Sequence, residues 1–509
     1  MKNKILLIIS SILVVMLTAS IIKGRKVDLE NRQSEKDTSP GGPYESTNST
    51  SRYALTEVIS EQNSFFLNDQ LARFSAPDIV KYHNRYFSIF TPGISFISVP
   101  FYQLGKIFGY PQILTYLSTT FFALINVFLI AKLARILGSS NLASYISGFV
   151  FLFATNALAY SNTLTQHHAG TALIVGSLIL GLGKSNFINK FILGVLVGFG
   201  LLVDVPNVLF SIPILLYVFI SDIKFNEVSP INRIGKLLVQ YLGLSVGFLI
   251  FLAVFGWYNF QLTGSYFKVP QFIGRVSERE FSTDIILPGS QKEAEPEEDG
   301  GFSFPYEPRD LPRGLSVLLL SSERGWFYYS PVLVLGVLGL ILFSKKENNS
   351  KKTNVLLSTV LIIIVSYSMF GDPWGGWSFG PRYLIPATAI VCSLTGLVID
   401  RYYKKLWFTI LFFCLFIVSN YISSIGALTS NAIPPKHEAE SPLIGLPYTY
   451  RLGQNMLTRN QSSSLVYNLK LNSYISAWQF QWVFMLISTL SLGLLYYGLF
   501  SKEKINVKK

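Results

Sequence analysis

Apolar blocks of about 20 residues recur along this chain, and a helix of that length crosses the hydrocarbon core of a bilayer. Half of the 509 residues are hydrophobic and 14% are charged, whereas soluble domains contain about 25% charged residues. The sequence therefore predicts an all-α polytopic membrane protein and excludes a cytoplasmic enzyme, a secreted globular protein and a coiled coil. Its two cysteines, Cys392 and Cys414, lie inside apolar blocks, so we expect no disulfide in the water-facing loops and no cysteine-based metal site.

We predict about twelve transmembrane helices, with long outer loops that include juxtamembrane helices on the outer face. The predicted spans are 4–22, 112–131, 143–160, 169–183, 190–203, 205–221, 237–258, 326–344, 353–370, 383–399, 406–427 and 478–499. The corresponding segments are the first transmembrane helix (1–22), a first outer loop with surface helices (23–111), helices 2–7 (112–258), a long outer loop (259–325), helices 8–11 (326–427), an outer loop (428–477), and the last helix with a basic inner tail (478–509).

The distribution of charge predicts the orientation of these spans. With the N-terminus inside, the inner segments contain 20 Lys and Arg against 5 Asp and Glu, and the outer segments contain 22 against 24. Because the basic excess lies on one side, the positive-inside rule predicts that both termini are inside. This also removes nucleic acid as an explanation of the net charge of +13. We expect the membrane to be a bacterial inner or cell membrane. A cleaved signal peptide is the alternative for residues 1–22, but their apolar stretch is longer than a usual signal core.

The first outer loop has regions of different character. Residues 28–51 are polar and rich in Gly, Pro and Ser, which predicts a mobile linker. Residues 52–67 form an amphipathic stretch. Residues 88–108 are apolar but contain Pro92, Gly93 and Pro100, which predicts helices lying at the membrane surface instead of a span.

The same loop contains the candidate catalytic residues. Asp69 and Asp78 precede Arg85 and Tyr86 within twenty residues, and a carboxylate held there can act as general base on an acceptor hydroxyl. Arg85 and Tyr86 are candidate substrate-binding residues. The alternative is ordinary turn chemistry, since Pro-Asp and His-Asn-Arg are common in turns.

Further candidate substrate-binding residues lie at the predicted outer ends of spans. Asp204 occupies a tight turn, where a carboxylate is costly unless it is hydrated or paired; it is either a wall of the site or a helix N-cap. His167 and His168 are adjacent and should point in different directions, so one of them can bind a substrate, although both can equally be interfacial. Arg324 can hold a phosphate, or it can pair with Glu323.

The most specific string of the sequence runs from Gly371 to Tyr383. It contains four glycines, which let the backbone approach a ligand, and the candidate substrate-binding residues Trp374 and Trp377. Tryptophan suits a sugar face or the membrane interface. Arg382 is the only basic residue in any short outer segment, and its planar guanidinium matches a phosphate. The alternative is that Arg382 caps or anchors the tenth span.

Several strings together resemble the GT-C superfamily of polytopic glycosyltransferases, near the protein O-mannosyltransferases and the aminoarabinose transferases. They lie within most of residues 50–385 and are Arg52-Tyr53-Ala54-Leu55 through Asp78, Tyr86-Phe87-Ser88 with Pro92-Gly93, Tyr160-Ser161 with His167-His168, Tyr258-Asn259 with Gly264-Ser265, Arg324-Gly325 with Tyr329-Ser330-Pro331, and Trp374-Gly375-Gly376 with Gly380-Pro381-Arg382-Tyr383-Leu384. The resemblance implies inverting transfer of a sugar from a polyprenyl-phosphate donor to a glycan, lipid or protein acceptor on the outer face. It implies no cofactor, because the lipid-linked sugar is a substrate, and no metal-ligand spacing stands out.

The chain departs from this pattern at the catalytic base. The mannosyltransferase branch has an Asp-Glu pair just before the Tyr-Ala start of the first surface helix, where this chain has Ser49-Thr50-Ser51-Arg52. We therefore assign the base to Asp78, eight residues before Tyr86, or else to Asp69. The competing hypotheses are a lipid-linked sugar flippase or transporter and a non-catalytic subunit of envelope polysaccharide assembly. The transferase hypothesis requires Asp78 and Arg382 to meet in one cavity.

Overall fold

The computed structural model describes residues 2–24, 32–38, 40–223, 230–276, 306–346, 349–441 and 444–501. Residues 277–305 of the predicted long outer loop and the basic tail (502–509) lie outside these residues. The first half contains α1 (Lys2–Ser20), α2 (Arg32–Thr38), α3 (Thr47–Gln62), α4 (Asp69–Ser75), β1 (Ile79–Tyr82), β2 (Arg85–Ser88), α5 (Gly93–Phe108), α6 (Pro111–Ile136), α7 (Asn141–Phe153), α8 (Ala157–Tyr160), α9 (His167–Gly181), α10 (Phe187–Val203), α11 (Pro206–Ile223) and α12 (Pro230–Thr263). The second half contains α13 (Leu311–Leu315), α14 (Trp326–Tyr329), α15 (Leu333–Ser344), α16 (Ser350–Ser368), α17 (Ile385–Tyr402), α18 (Leu406–Leu428), α19 (Lys436–Ala439), α20 (Arg451–Thr458) and α21 (Ala477–Ser501).

The helices are those of an integral membrane protein, as predicted. A helix coincides with each of the twelve predicted spans. Six stretches are long and apolar enough to cross a bilayer, and they are Pro111–Ile136, Pro206–Ile223, Leu237–Thr263, Arg382–Tyr402, Leu406–Leu428 and Ala477–Phe500. The helices at the other predicted spans are shorter or less apolar, so the number twelve stays a prediction.

Glycines allow the closest helix contacts in the bundle. A Cβ atom on Gly194 of α10 would lie 2.0 Å from the carbonyl oxygen of Leu244 in α12, and one on Gly247 would lie 2.3 Å from that of Phe191. The backbones of α10 and α12 therefore touch directly. Small residues favour such packing in a membrane, where helix association depends on van der Waals contact.

A layer formed by α3, α4, α5 and the β1–β2 hairpin packs against the bundle. We call it the outer layer, because the predicted topology places it outside. In this layer α5 packs against α3 and α6, and its C-terminal residues Ile107 and Phe108 are 76% and 66% exposed. An apolar helix end that is exposed in this way suits the membrane surface, and the surface location of 88–108 stays a prediction.

The predicted mobile linker at 28–51 is wrong from residue 40 onwards; residues 28–31 and 39 lie outside the described residues. Tyr44 is buried, α3 begins at Thr47, and Ser51 donates a 2.7 Å hydrogen bond to the carbonyl of Asp78. Glu45 forms a buried ion pair with Lys23 at 2.9 Å. The small polar side chains thus serve close packing and internal hydrogen bonding, which composition alone cannot distinguish from disorder.

The hairpin bears out the turn interpretation of His-Asn-Arg. Ile79 pairs with Ser88 and Tyr82 with Arg85. His83 and Asn84 form the connection, with positive φ angles of 46° and 58°, as a two-residue hairpin turn requires.

Candidate active site

Arg52, in the outer layer, belongs to a cluster of charged residues. Its side chain is fully buried in α3, and its Cζ lies 3.8 Å from the centroid of the Phe90 ring. It interacts electrostatically with Asp204, Asp78 and Arg382. Burial lowers the pKa of Arg52 to about 10, against the opposing effect of the two carboxylates, so the guanidinium stays charged at neutral pH. We call Arg52, Asp78, Asp204 and Arg382 the outer cluster.

Asp78 enters the cluster from the turn between α4 and β1 and is 5% exposed. Its Oδ2 accepts a 2.7 Å hydrogen bond from Thr47, and its Oδ1 lies 3.3 Å from Nε of Arg275. The Arg275 side chain is 62% exposed, so this partner lies between the carboxylate and solvent. Asp78 is therefore a buried carboxylate, and the exposed side chain of Arg275 separates it from solvent.

Asp204 enters from the turn between α10 and α11. It is 9% exposed, and its carboxylate accepts hydrogen bonds from Gln166, at 3.2 Å, and from Gln271. Burial raises the pKa of Asp204, and Arg52 is the main opposing influence. A close approach brings this turn to the outer layer, since a Cβ on Gly93 would lie 2.5 Å from the carbonyl oxygen of Leu202.

Arg382 enters from the glycine-rich string, which folds as a tight loop before α17. The backbone N–H groups of Gly375 and Gly376 donate to the Asp372 carboxylate at 3.1 and 2.5 Å, and both glycines have positive φ. A Cβ on Gly375 would lie 2.9 Å from Nε of Arg382, so this glycine makes room for the arginine. Arg382 hydrogen-bonds the Tyr383 hydroxyl, while its Nε has no partner among the described residues.

Arg324 supports the same loop and does not point into the outer cluster. It is fully buried and donates to four backbone carbonyls: Trp374 at 3.0 Å, Gly376 at 3.2 Å, Ile433 at 2.8 Å and Glu323 at 2.8 Å. The N–H groups of Arg324 that were predicted to bind a phosphate thus donate to backbone carbonyls instead. This geometry favours a structural clamp, and we do not include Arg324 in the proposed substrate site.

The two histidines do face different neighbours. His168 is held in the bundle, with Nε2 2.8 Å from the Ala157 carbonyl and Nδ1 3.3 Å from Asn126. The His167 ring faces Tyr160 and Tyr383, at centroid distances of 5.4 and 6.4 Å, and its Nε2 has no partner in the described part of the chain. His167 therefore borders Arg382, whereas the contacts of His168 are those of a core residue.

The remaining predicted residues lie away from the cluster. Asp69 is exposed in the first turn of α4, where its charge suits the helix N-terminus. Arg85 stacks on Phe66 and Tyr86 pairs with Leu67 in the hairpin layer. Trp377 is 40% exposed and donates to Glu438 at 2.5 Å, and Trp374 lies against His437 and Arg313. Both tryptophans thus contact residues of α19.

Sequence reasoning missed three residues of this site. Arg52 was only one letter of a resembling string, and Gln271 and Arg275 come from an outer segment with no distinctive pattern. A single basic residue within a run of Ser and Thr was the only available signal for Arg52. No group of three or more His, Cys, Asp and Glu side chains that could hold a metal ion occurs in the described ranges.

Comparison with solved structures identifies the fold. ArnT from Cupriavidus metallidurans in the apo state superimposes with a TM-score of 0.50 at 12% identity, over 97% of this chain and 77% of ArnT. The undecaprenyl phosphate complex of ArnT gives 0.50 at 10% identity, over 98% and 77%. The apo oligosaccharyltransferase of Archaeoglobus fulgidus gives 0.48 at 14% identity, over 85% of this chain and 57% of that protein, so the chain spans little more than half of that protein's length.

The chain matches no family model and no curated protein sequence. At these identities the ArnT comparison bears on the fold and not on the reaction. The chain therefore shares the polytopic fold of ArnT, the kind of fold that the resemblance to the GT-C superfamily implied.

Proposed function

We propose that this protein is a membrane glycosyltransferase that moves a sugar from a polyprenyl-phosphate donor to an acceptor on the outer face of a bacterial inner or cell membrane, with both termini inside. One observation carries the proposal. Helix α3 and three turns or loops from separate parts of the chain bring two arginines and two aspartates within electrostatic range of one another, in a fold shared with ArnT, which has been crystallised with undecaprenyl phosphate.

The basic residues suit the leaving group of this reaction. Breaking the bond between sugar and lipid phosphate develops negative charge on phosphate oxygens, and preorganised donors in a site of low dielectric stabilise that charge. Arg382 has a half-buried side chain with an unpartnered Nε. His167 borders it and can add a neutral hydrogen-bond donor.

The carboxylates suit the acceptor and the sugar. Asp78 acts as general base on the acceptor hydroxyl, once the exposed Arg275 side chain moves aside. Asp204 faces the positive character that develops at the anomeric carbon, as a second carboxylate does in glycoside chemistry. Attack opposite the leaving phosphate inverts the anomeric centre.

The test is transfer in vitro by the purified protein in detergent or nanodiscs. We expect label from one member of a panel of radiolabelled polyprenyl-phosphate sugars to appear in an acceptor extracted from the envelope, and Asp78→Asn and Asp204→Asn to abolish the transfer. Movement of the labelled lipid across vesicles without transfer would instead indicate a flippase. Absence of transfer with every donor, although wild type binds the lipid, would favour a non-catalytic subunit.

A further inference from the structure

Arg52 is buried, and only one of its three side-chain nitrogens donates a hydrogen bond to a described residue. Nη1 donates to the carbonyl of Asn48, at 3.1 Å, and to the Asn48 side-chain oxygen. Nε and Nη2 have no hydrogen-bond partner in the ranges that the structure describes. Buried side-chain donors are nearly always satisfied, so two orphan donors on one charged group require an explanation.

The two orphan donors lie on the same edge of the guanidinium. The N–H bonds of Nε and Nη2 are parallel and form the fork that binds two oxygens of a carboxylate or phosphate. The Phe90 ring covers one face of the plane at 3.8 Å, and the Asn48 contacts fix the opposite end. Arg52 is thus held in place with its bidentate edge left open.

The nearby carboxylates do not fill this fork. Asp78 accepts from Thr47 and pairs with Arg275, while Asp204 accepts from Gln166 and Gln271. Both aspartates interact with Arg52 only through longer-range electrostatics. Each acid therefore has its own partners, and an anion from outside the chain is the natural occupant of the open edge.

The charge around the fork favours a phosphate as this anion. Ser95, in the first turn of α5, donates to the backbone carbonyl of Arg52 at 3.0 Å, which holds α3 against the N-terminal end of α5. Arg382, with its own unpartnered Nε, lies within electrostatic range. Two arginines from opposite halves of the chain can then bind one phosphate from two sides.

We infer that the Nε–Nη2 edge of Arg52, together with Arg382, binds the phosphate of a polyprenyl-phosphate lipid. The inference rests on the proposed function for the identity of the lipid, and it makes Arg52 a substrate-binding residue.

The test measures binding without any sugar or acceptor. Undecaprenyl phosphate, undecaprenol and inorganic phosphate are titrated against the full-length protein in detergent. Wild type, Arg52→Lys, Arg52→Gln and the control Arg73→Gln are compared. Arg73 is an exposed residue of α4 outside the cluster.

We expect affinity for undecaprenyl phosphate to fall about tenfold in Arg52→Lys, which keeps charge but lacks the fork, and up to about 100-fold in Arg52→Gln, the scale of a lost charged hydrogen-bond pair. Arg73→Gln should bind like wild type, and undecaprenol should bind weakly to all.

Thermal unfolding of each variant separates binding from folding, and affinities refer to the folded fraction. Wild-type affinity in both Arg52 variants would overturn the inference and leave the transferase proposal standing. Failure of wild type to prefer undecaprenyl phosphate to undecaprenol would overturn both. Inorganic phosphate that binds as tightly as the lipid would overturn the assignment to a lipid.

Discussion

Two regions of this protein contain a fully buried arginine, and the difference between them separates a structural arginine from a binding one. Arg324, before α14, uses its donors on four backbone carbonyls and holds the Trp-Gly loop. Arg52, in α3, keeps a complete bidentate edge free beside two carboxylates. Burial alone therefore does not show what an arginine does, whereas the list of its satisfied donors does.

The largest effect on stability should come from Arg324→Ala. The change removes a fully buried side chain and its hydrogen bonds to the carbonyls of Trp374, Gly376 and Ile433. The Trp374 and Ile433 carbonyls keep Ser378 as a donor, but each hydrogen bond from a charged group contributes about 1.5–3 kcal/mol. We expect destabilisation of at least about 3 kcal/mol, seen as a lower melting temperature in detergent. A melting temperature equal to that of wild type would show that the clamp is dispensable, and the comparison of the two arginines would fail.

Asp78→Asn should act on the reaction instead of the fold. Asparagine keeps the size and can still accept from Thr47, but it cannot take a proton, so transfer should fall by about 100-fold or more. The assay is initial rate with saturating donor, and normal expression and melting are expected.

Asp69→Asn is the matched control for Asp78, because Asp69 is exposed at a helix start. We expect the initial rate of transfer by Asp69→Asn to stay close to that of wild type. If Asp69→Asn is inactive and Asp78→Asn is fully active, the base is Asp69; if both are active, the base lies outside this loop.

Substitutions of Arg382 test whether this residue is a structural arginine like Arg324 or a binding arginine like Arg52. Arg382→Ala should weaken binding of the polyprenyl-phosphate donor by about tenfold or more, and Arg382→Lys should weaken it less because the charge remains. Direct lipid binding and melting are measured on the same samples. A drop in melting temperature with unchanged affinity would place Arg382 beside Arg324 as an anchor of its helix.

The smallest effect on the protein is expected from a test of membrane orientation, which asks on which side of the membrane Arg52 and Arg382 lie. Single cysteines at positions 300 and 440, introduced after removal of Cys392 and Cys414, should react with an impermeant maleimide on intact cells, and one at position 348 should not. The charge distribution predicts this result. Labelling at 348 would reverse the orientation and remove the outer-face assignment of the cluster.

The sequence predicted the fold well because a membrane helix can be recognised from the composition of its own segment. Each predicted span is a run of apolar residues that must satisfy its own backbone hydrogen bonds, so a helix is the available solution. The outer layer was harder. Residues 40–51 have the composition of a linker, yet their small hydroxyl groups pack into the core of the layer, as Ser51 does against Asp78 and Ser88.

The candidate site divides in the same way. The sequence by itself predicted that polar chemistry lies at the ends of the spans, on the side assigned as outer, and it singled out Asp78, Asp204 and Arg382 as unusual charges there. Only the tertiary structure decided that these three residues interact electrostatically with Arg52, that Arg324 donates to backbone carbonyls, and that Gln271 and Arg275 approach the two aspartates. The reason is physical. The free energy of an apolar helix in a bilayer depends on its own residues, whereas the partners of a buried charge come from loops far apart in the chain.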